Sequence, residues 1–182
     1  MNVKTVTIWG FSTENWKRGE EENKILFGLA DKIFDQIAEE IIQNKISFHH
    51  IGRKDRLPKE LVEKMDQLER ETSKFTTYRL NLALDYGGRD EIIRAIKKLF
   101  AEGKGTEELS EEVFSKYLDT SGLTDPDLII RTSGELRTSG ILPWQGTYAE
   151  LYFSPLYFPD FDREAFRLAL LDYSSRQRRL GK

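Results

Sequence analysis

Apolar residues along this chain recur with two different periods, and the two alternate from one end to the other. Segments 3–9, 45–52, 78–86, 127–131 and 149–153 read as strands. In the third of them Leu80, Leu82 and Leu84 fall on one face, the two-residue repeat of a pleated strand. Between strands the repeat is helical. Ile25, Leu29, Ile33, Ile37 and Ile41 make one row, and Leu26, Ala30, Phe34, Ala38 and Ile42 a second beside it, on a helix over roughly 20–44. Pro58 suits the first turn of the next helix. Residues 89–101 are helical, Ser110 is placed to cap a short helix, and Asp160 or Asp162 to cap a last one. Strands that alternate with helices imply an α/β fold, a mostly parallel sheet flanked by helices. No internal repeat or linker divides the sequence, so a single domain over residues 1–182 is expected.

Composition narrows the class. Three Trp, seven Tyr and eleven Phe are too many for a disordered chain and call for a packed core. With no Cys there is no disulfide, thiolate metal site or Cys nucleophile. A net charge of -3 gives no bulk attraction to nucleic acid or to anionic membrane. No apolar run approaches the ~18 residues of a membrane span. The expectation is a cytoplasmic protein with no nucleic-acid partner. The strand pattern begins at the first residues with no lead-in, which makes a missing upstream segment a further expectation.

In open α/β sheets, ligands bind beyond the carboxyl ends of the strands. The polar stretches there are Phe11-Ser12-Thr13-Glu14-Asn15-Trp16, Asp85-Tyr86-Gly87-Gly88-Arg89 and the loop from Arg131 to Ser139. Arg131 and Arg137, with hydroxyls and glycines between them, can form an anion cradle. Guanidinium forks match phosphate oxygens, and glycine lets backbone N–H groups turn towards the same anion. A polar surface loop held by salt bridges is the other reading. Glu150 lies in an apolar strand, where a carboxylate must be paired or bind a metal such as Mg²⁺. A salt bridge to one of the arginines satisfies it equally. Tyr86-Gly87-Gly88-Arg89 is either a phosphate-approaching turn or a tight strand-to-helix turn. His49 and His50 lie mid-strand and read as structural. The apolar double row is core by default, and it could also wall a tunnel for a lipid chain.

These stretches occur in order with Pro143-Trp144-Gln145, Tyr148-Ala149-Glu150-Leu151-Tyr152-Phe153 and Pro159-Asp160-Phe161. Together they resemble the cis-prenyltransferase family, over essentially the whole chain. The resemblance implies repeated condensation of isopentenyl diphosphate with an allylic diphosphate such as farnesyl diphosphate, giving a long-chain product such as undecaprenyl diphosphate. By position, Arg131, Arg137 and Ser139 match residues that hold isopentenyl diphosphate, and Glu150 matches a Mg²⁺ ligand. Ser12 and Asn15 match polar positions near the reacting carbons, and Trp16 an aromatic beside a flexible loop. The helix over 20–44 matches a wall of the product tunnel. Arg178, Arg179 and Gly181 resemble a tail that reaches the partner's site in family dimers, so a homodimer is implied. Membrane association would be peripheral at most, through the lipid product.

The sequence also departs from the family. It has no Asp-Gly-Asn-Arg-type phosphate loop, the segment that in the family carries a catalytic Asp and the allylic half-site. The first family strand and that loop are therefore expected to be missing, and the chain as given to be inactive. Ser133 stands where many members have a second Gly, Leu136 where a polar residue is common, Gly19 where Pro often follows, and Gly140 where Asn is usual. A non-catalytic partner subunit of a heteromeric prenyltransferase is the alternative. The joint presence of Arg131, Arg137, Ser139 and Glu150 speaks against it.

Overall fold

The longest strand takes the centre of the sheet. In the computed structural model, which describes residues 2–177, β3 (Tyr78–Tyr86) lies between β1 (Thr5–Ser12) and β2 (Ile46–Ile51) and runs parallel to both. A central parallel strand is covered on both faces, and from Ala83 to Tyr86 every residue of β3 is buried. Parallel strands need long crossovers. Here these are α1 (Glu20–Gln43), between β1 and β2, and α2 (Lys59–Thr72), between β2 and β3. The core gathers Phe11, Phe27, Phe34, Phe48, Leu61 and Met65 with their neighbours.

Helix α2 buries Leu61, Met65, Leu68 and Thr72, one stripe at helical spacing. The Thr72 hydroxyl donates to the Leu68 carbonyl at 2.7 Å and accepts from the Phe48 N–H at 3.0 Å, which fastens the end of α2 to β2. Helix α1 differs from the sequence reading. Its buried line is Asn23, Phe27, Phe34 and Ile41, while Ile25, Leu29 and Ile33 are 72%, 54% and 45% exposed. Apolar residues occupy two faces of this helix, and aromatic packing selects one of them. Phe27 lies 4.9 Å from Phe11 and Phe34 lies 5.5 Å from Phe48, ring centre to ring centre. Helices α3 (Gly88–Ala101) and α4 (Glu111–Ser115) follow β3, and Ser110 caps α4 by accepting from the Val113 N–H.

Residues 2–121 form one compact unit, and residues 122–177 belong to a second. In the second, β4 (Leu128–Arg131) pairs in parallel with β5 (Glu150–Phe153), Leu128 opposite Glu150 and Arg131 opposite Phe153. The connection over 132–149 contains no helix. Asp162, not Asp160, caps α5 (Arg163–Ser175) through the Ala165 N–H at 2.9 Å. The α/β class and the parallel pairing are as expected, and among the described residues the strands pair as a three-stranded and a two-stranded ladder. Period-two patterning fixes which way side chains face and leaves the choice of neighbouring strand open. Among the described residues no helix is long and apolar enough to cross a membrane.

Candidate active site

The carboxyl end of the three-stranded sheet is bound together by polar contacts. The pairing of β1 with β3 shifts register between Trp9 and Phe11 and again before Ser12. Phe11 turns into the core and the chain bends away. The Ser12 N–H then donates to the Asn15 side-chain oxygen at 2.8 Å, so these two residues close one tight turn. Trp16 follows. Its indole N–H donates to Asp85 Oδ1 at 2.8 Å, and its ring packs on Phe11 and Phe27 at 5.4 and 5.3 Å. Asp85 also accepts from Arg56, at 2.8 Å from Nε and 2.5 Å from Nη2. Two glycines permit this closeness. A Cβ on Gly52, whose φ is +124°, would stand 2.4 Å from the Leu84 carbonyl oxygen, and one on Gly87 would stand 2.2 Å from Thr13 Oγ1. Gly87 therefore serves a tight strand-to-helix turn.

Both histidines are tied into the fold. His50 is buried against the Leu84 carbonyl at 2.9 Å, and its burial lowers its pKa. The His49 pKa is raised by its hydrogen bond to Glu69. Burial would push Glu69 up, but hydrogen bonds from His49, the His50 N–H and Lys54 outweigh it and hold the carboxyl at about 2.

The loop after β4 is built differently. Arg131 ends the strand, and its Nε is buried with no hydrogen-bond partner among the described residues. Ser133, Gly134, Ser139 and Gly140 all take left-handed backbone, with φ of +68°, +68°, +53° and +87°. The Ser133 and Gly134 N–H groups donate to the carbonyls of Leu156 and Ser154, at 2.7 and 2.9 Å. They hold the loop against the segment after β5 and are not offered to an anion, which corrects the cradle reading for these two amides. Arg137 is exposed and pairs with Glu135. Ser139 is exposed on the same loop.

Glu150 begins β5, opposite the start of β4, whereas Arg131 ends β4. Three residues of strand, about 10 Å, separate the two levels. The Glu150 carboxylate accepts from Arg176 Nη1 at 2.7 Å, and Arg176 also reaches Asp172 at 2.5 Å. The bond to Glu150 raises the pKa of that guanidinium. A salt bridge at Glu150 was one of the sequence readings, but its partner comes from the last helix turn and not from the loop arginines. Among the described residues no group of three carboxylates or imidazoles is placed to hold a metal. Arg178, Arg179 and Gly181 lie outside the described residues.

A family model described as "Putative undecaprenyl diphosphate synthase" matches residues 1–181. The chain belongs to the cis-prenyltransferase family. "Isoprenyl transferase" from Aquifex pyrophilus is 47% identical over 182 residues, which is 100% of this chain and 78% of that relative. The Streptococcus pneumoniae (strain ATCC BAA-255 / R6) isoprenyl transferase is 43% identical over 189 residues, covering 100% of this chain and 75% of its own length. Among solved structures, a probable undecaprenyl diphosphate synthase from Campylobacter jejuni matches with TM-score 0.87 and 36% identity, over 98% of this chain and 84% of that one. Lavandulyl diphosphate synthase from Lavandula x intermedia, in complex with dimethylallyl diphosphate, matches at 0.93 and 33%, over 98% and 79%.

Within this cis-prenyltransferase chain, Ser12, Asn15 and Trp16 share one turn, and Arg131, Arg137 and Ser139 share one loop. Sequence reasoning included Asp85 only as the start of a polar strand end, with no role of its own, and passed over Arg56. Asp85 interrupts the apolar run Leu82-Ala83-Leu84, the same signal that singled out Glu150. Its partners lie 29 and 69 residues away, which no local pattern connects.

Proposed function

We propose that this chain serves cis-prenyl transfer, in which isopentenyl diphosphate condenses with an allylic diphosphate of the farnesyl type to build a long-chain polyprenyl diphosphate such as undecaprenyl diphosphate. The allylic carbon–oxygen bond breaks and diphosphate leaves with the electron pair. The isopentenyl double bond attacks the allylic carbon, a new carbon–carbon bond forms, and one proton is lost. Arg131, Arg137 and Ser139 hold the isopentenyl diphosphate, Ser12 and Asn15 lie near the reacting carbons, and Trp16 takes part in substrate binding. The observation that carries this reading is Arg131, which ends a parallel strand with a buried Nε that has no hydrogen-bond partner among the described residues. A buried donor without a partner is rare unless a ligand satisfies it. Diphosphate oxygens match a guanidinium fork.

Mg²⁺ is the ion we propose for Glu150. It binds through one or two carboxylates plus substrate phosphates, and a single half-buried carboxylate suits that pattern. When bound it neutralises charge on a departing diphosphate. We further propose a homodimer, supported by Tyr148, Tyr157 and Phe158, which are 81%, 68% and 65% exposed. Large apolar side chains left this exposed are what an interface would cover. Light scattering at high protein concentration checks it, and a monomer alone would remove it.

Calorimetric titration with isopentenyl diphosphate tests the site. Arg137→Ala should weaken binding by about 1.5 kcal/mol or more, the scale of a charge-assisted hydrogen bond. Unchanged affinity would take Arg137 out of the site.

A further inference from the structure

Asp85 is the penultimate residue of β3, and its side chain is wholly inaccessible. Its backbone is left-handed at φ +52°, a conformation that costs a non-glycine residue and gathers at functional sites. Its carbonyl accepts from the Arg53 N–H at 3.0 Å. Its carboxylate is shared between Arg56, which donates from Nε and Nη2, and the indole N–H of Trp16. The same Arg56 guanidinium stands 5.4 Å from the centre of the Trp16 ring. The indole is thus held at its N–H by Asp85, by Arg56 in cation–π contact, and against Phe11 and Phe27 by packing. The rest of the ring stays partly accessible. Ending a strand needs no charge here. Burying a carboxylate is costly unless each oxygen finds donors, and both oxygens of Asp85 are used on these two side chains.

We propose that Asp85 and Arg56 form a positioning pair that fixes Trp16 for the transfer step. The pair acts through Trp16 and does not touch substrate. The inference rests on the reading of Trp16 as a substrate-binding residue in the same turn as Ser12 and Asn15. If the indole must be fixed for the chemistry, loosening it slows turnover while isopentenyl diphosphate, held by the Arg131 loop, binds as before.

The test uses a chain competent for elongation and the variants Asp85→Ala, Asp85→Asn, Arg56→Ala and Asp85→Ala with Arg56→Ala. Turnover, KM and calorimetric Kd for isopentenyl diphosphate are measured where circular dichroism shows each variant folded. Trp16 is followed by subtracting the emission of each variant's Trp16→Phe counterpart. Asp85→Ala should lower kcat tenfold or more, with KM and Kd within twofold, and should red-shift the Trp16 emission. Asp85→Asn keeps an acceptor for the indole and should recover most of the parental emission and rate. Arg56→Ala should lower kcat in the same direction, and the double variant should be no slower than Asp85→Ala, because residues that act as one unit are not additive. Parental kcat in Asp85→Ala, a rise in KM and Kd that matches the loss in kcat, or losses that multiply in the double variant would overturn the pair. Failure of the underlying reading shows separately, as a Trp16→Phe enzyme that turns over like the parent.

Discussion

The carboxyl end of the three-stranded sheet and the loop after β4 are both polar and both follow parallel strands, yet they are finished in opposite ways. At the first, the carboxylate of Asp85, the indole of Trp16 and the amide oxygen of Asn15 all have partners within the chain. At the second, a buried donor of Arg131 has no partner among the described residues, and Arg137 and Ser139 stand exposed on a loop that the Ser133 and Gly134 amides tie to the segment after β5. Polar groups that satisfy one another build a scaffold. We propose that the second, a loop with a buried donor unspent among the described residues, receives an anion from outside.

The contrast can be broken at several points. The largest effect is expected at Gly52, where a side chain would combine backbone strain with a clash on the Leu84 carbonyl. Gly52→Ala should cost about 3 kcal/mol or more of stability, read from urea unfolding. A loss below 1 kcal/mol would mean that the strand end is softer than its packing implies. Glu69 gives an acid test of the same unit. Its carboxyl, ordinarily near 4.5, is held at about 2. The unfolded chain therefore takes up that proton more readily than the folded one. Stability from this group is complete above pH 4.5 and is lost as pH falls towards 2. The loss is about 3 kcal/mol at most, and Glu69→Gln should flatten it in unfolding curves taken across that window. A variant that keeps the full parental slope would contradict the ion-pair origin.

In the loop, Arg131→Ala should weaken isopentenyl diphosphate at least as much as Arg137→Ala, about 1.5 kcal/mol or more, with little change in melting temperature. Melting that drops as affinity drops would make Arg131 a structural residue. Ser133 is the smallest test. It takes φ +68°, a conformation that costs a residue with a side chain, so Ser133→Gly should relieve strain and raise stability by about 0.5 kcal/mol. Destabilisation would show that the serine makes a contact worth more than its strain.

Much of this was legible beforehand because the sequence punctuates its elements. Pro58, Ser110 and Asp162 all stand at helix starts. The motif residues also fell into two local groups, one turn and one loop, because each group is contiguous in sequence. What escaped is non-local. Whether Ile25 or Phe27 faces inward depends on Phe11 and Phe48, which α1 does not contain. Glu150 finds Arg176 across 26 residues, and Asp85 finds Trp16 across 69.

The central proposal is that residues 1–182 carry the isopentenyl half of a prenyl-transfer site and have no allylic diphosphate loop of the Asp-Gly-Asn-Arg type. Farnesyl diphosphate, labelled isopentenyl diphosphate and Mg²⁺ should be incubated with this chain and with a longer version that carries such a loop ahead of residue 1. Preorganised donors on developing charge are worth ~10²–10³ in rate apiece. The longer chain should elongate, while the 182-residue chain shows little or no product yet still binds isopentenyl diphosphate through Arg137. Elongation by the short chain at a comparable rate, or none by either, would contradict the assignment.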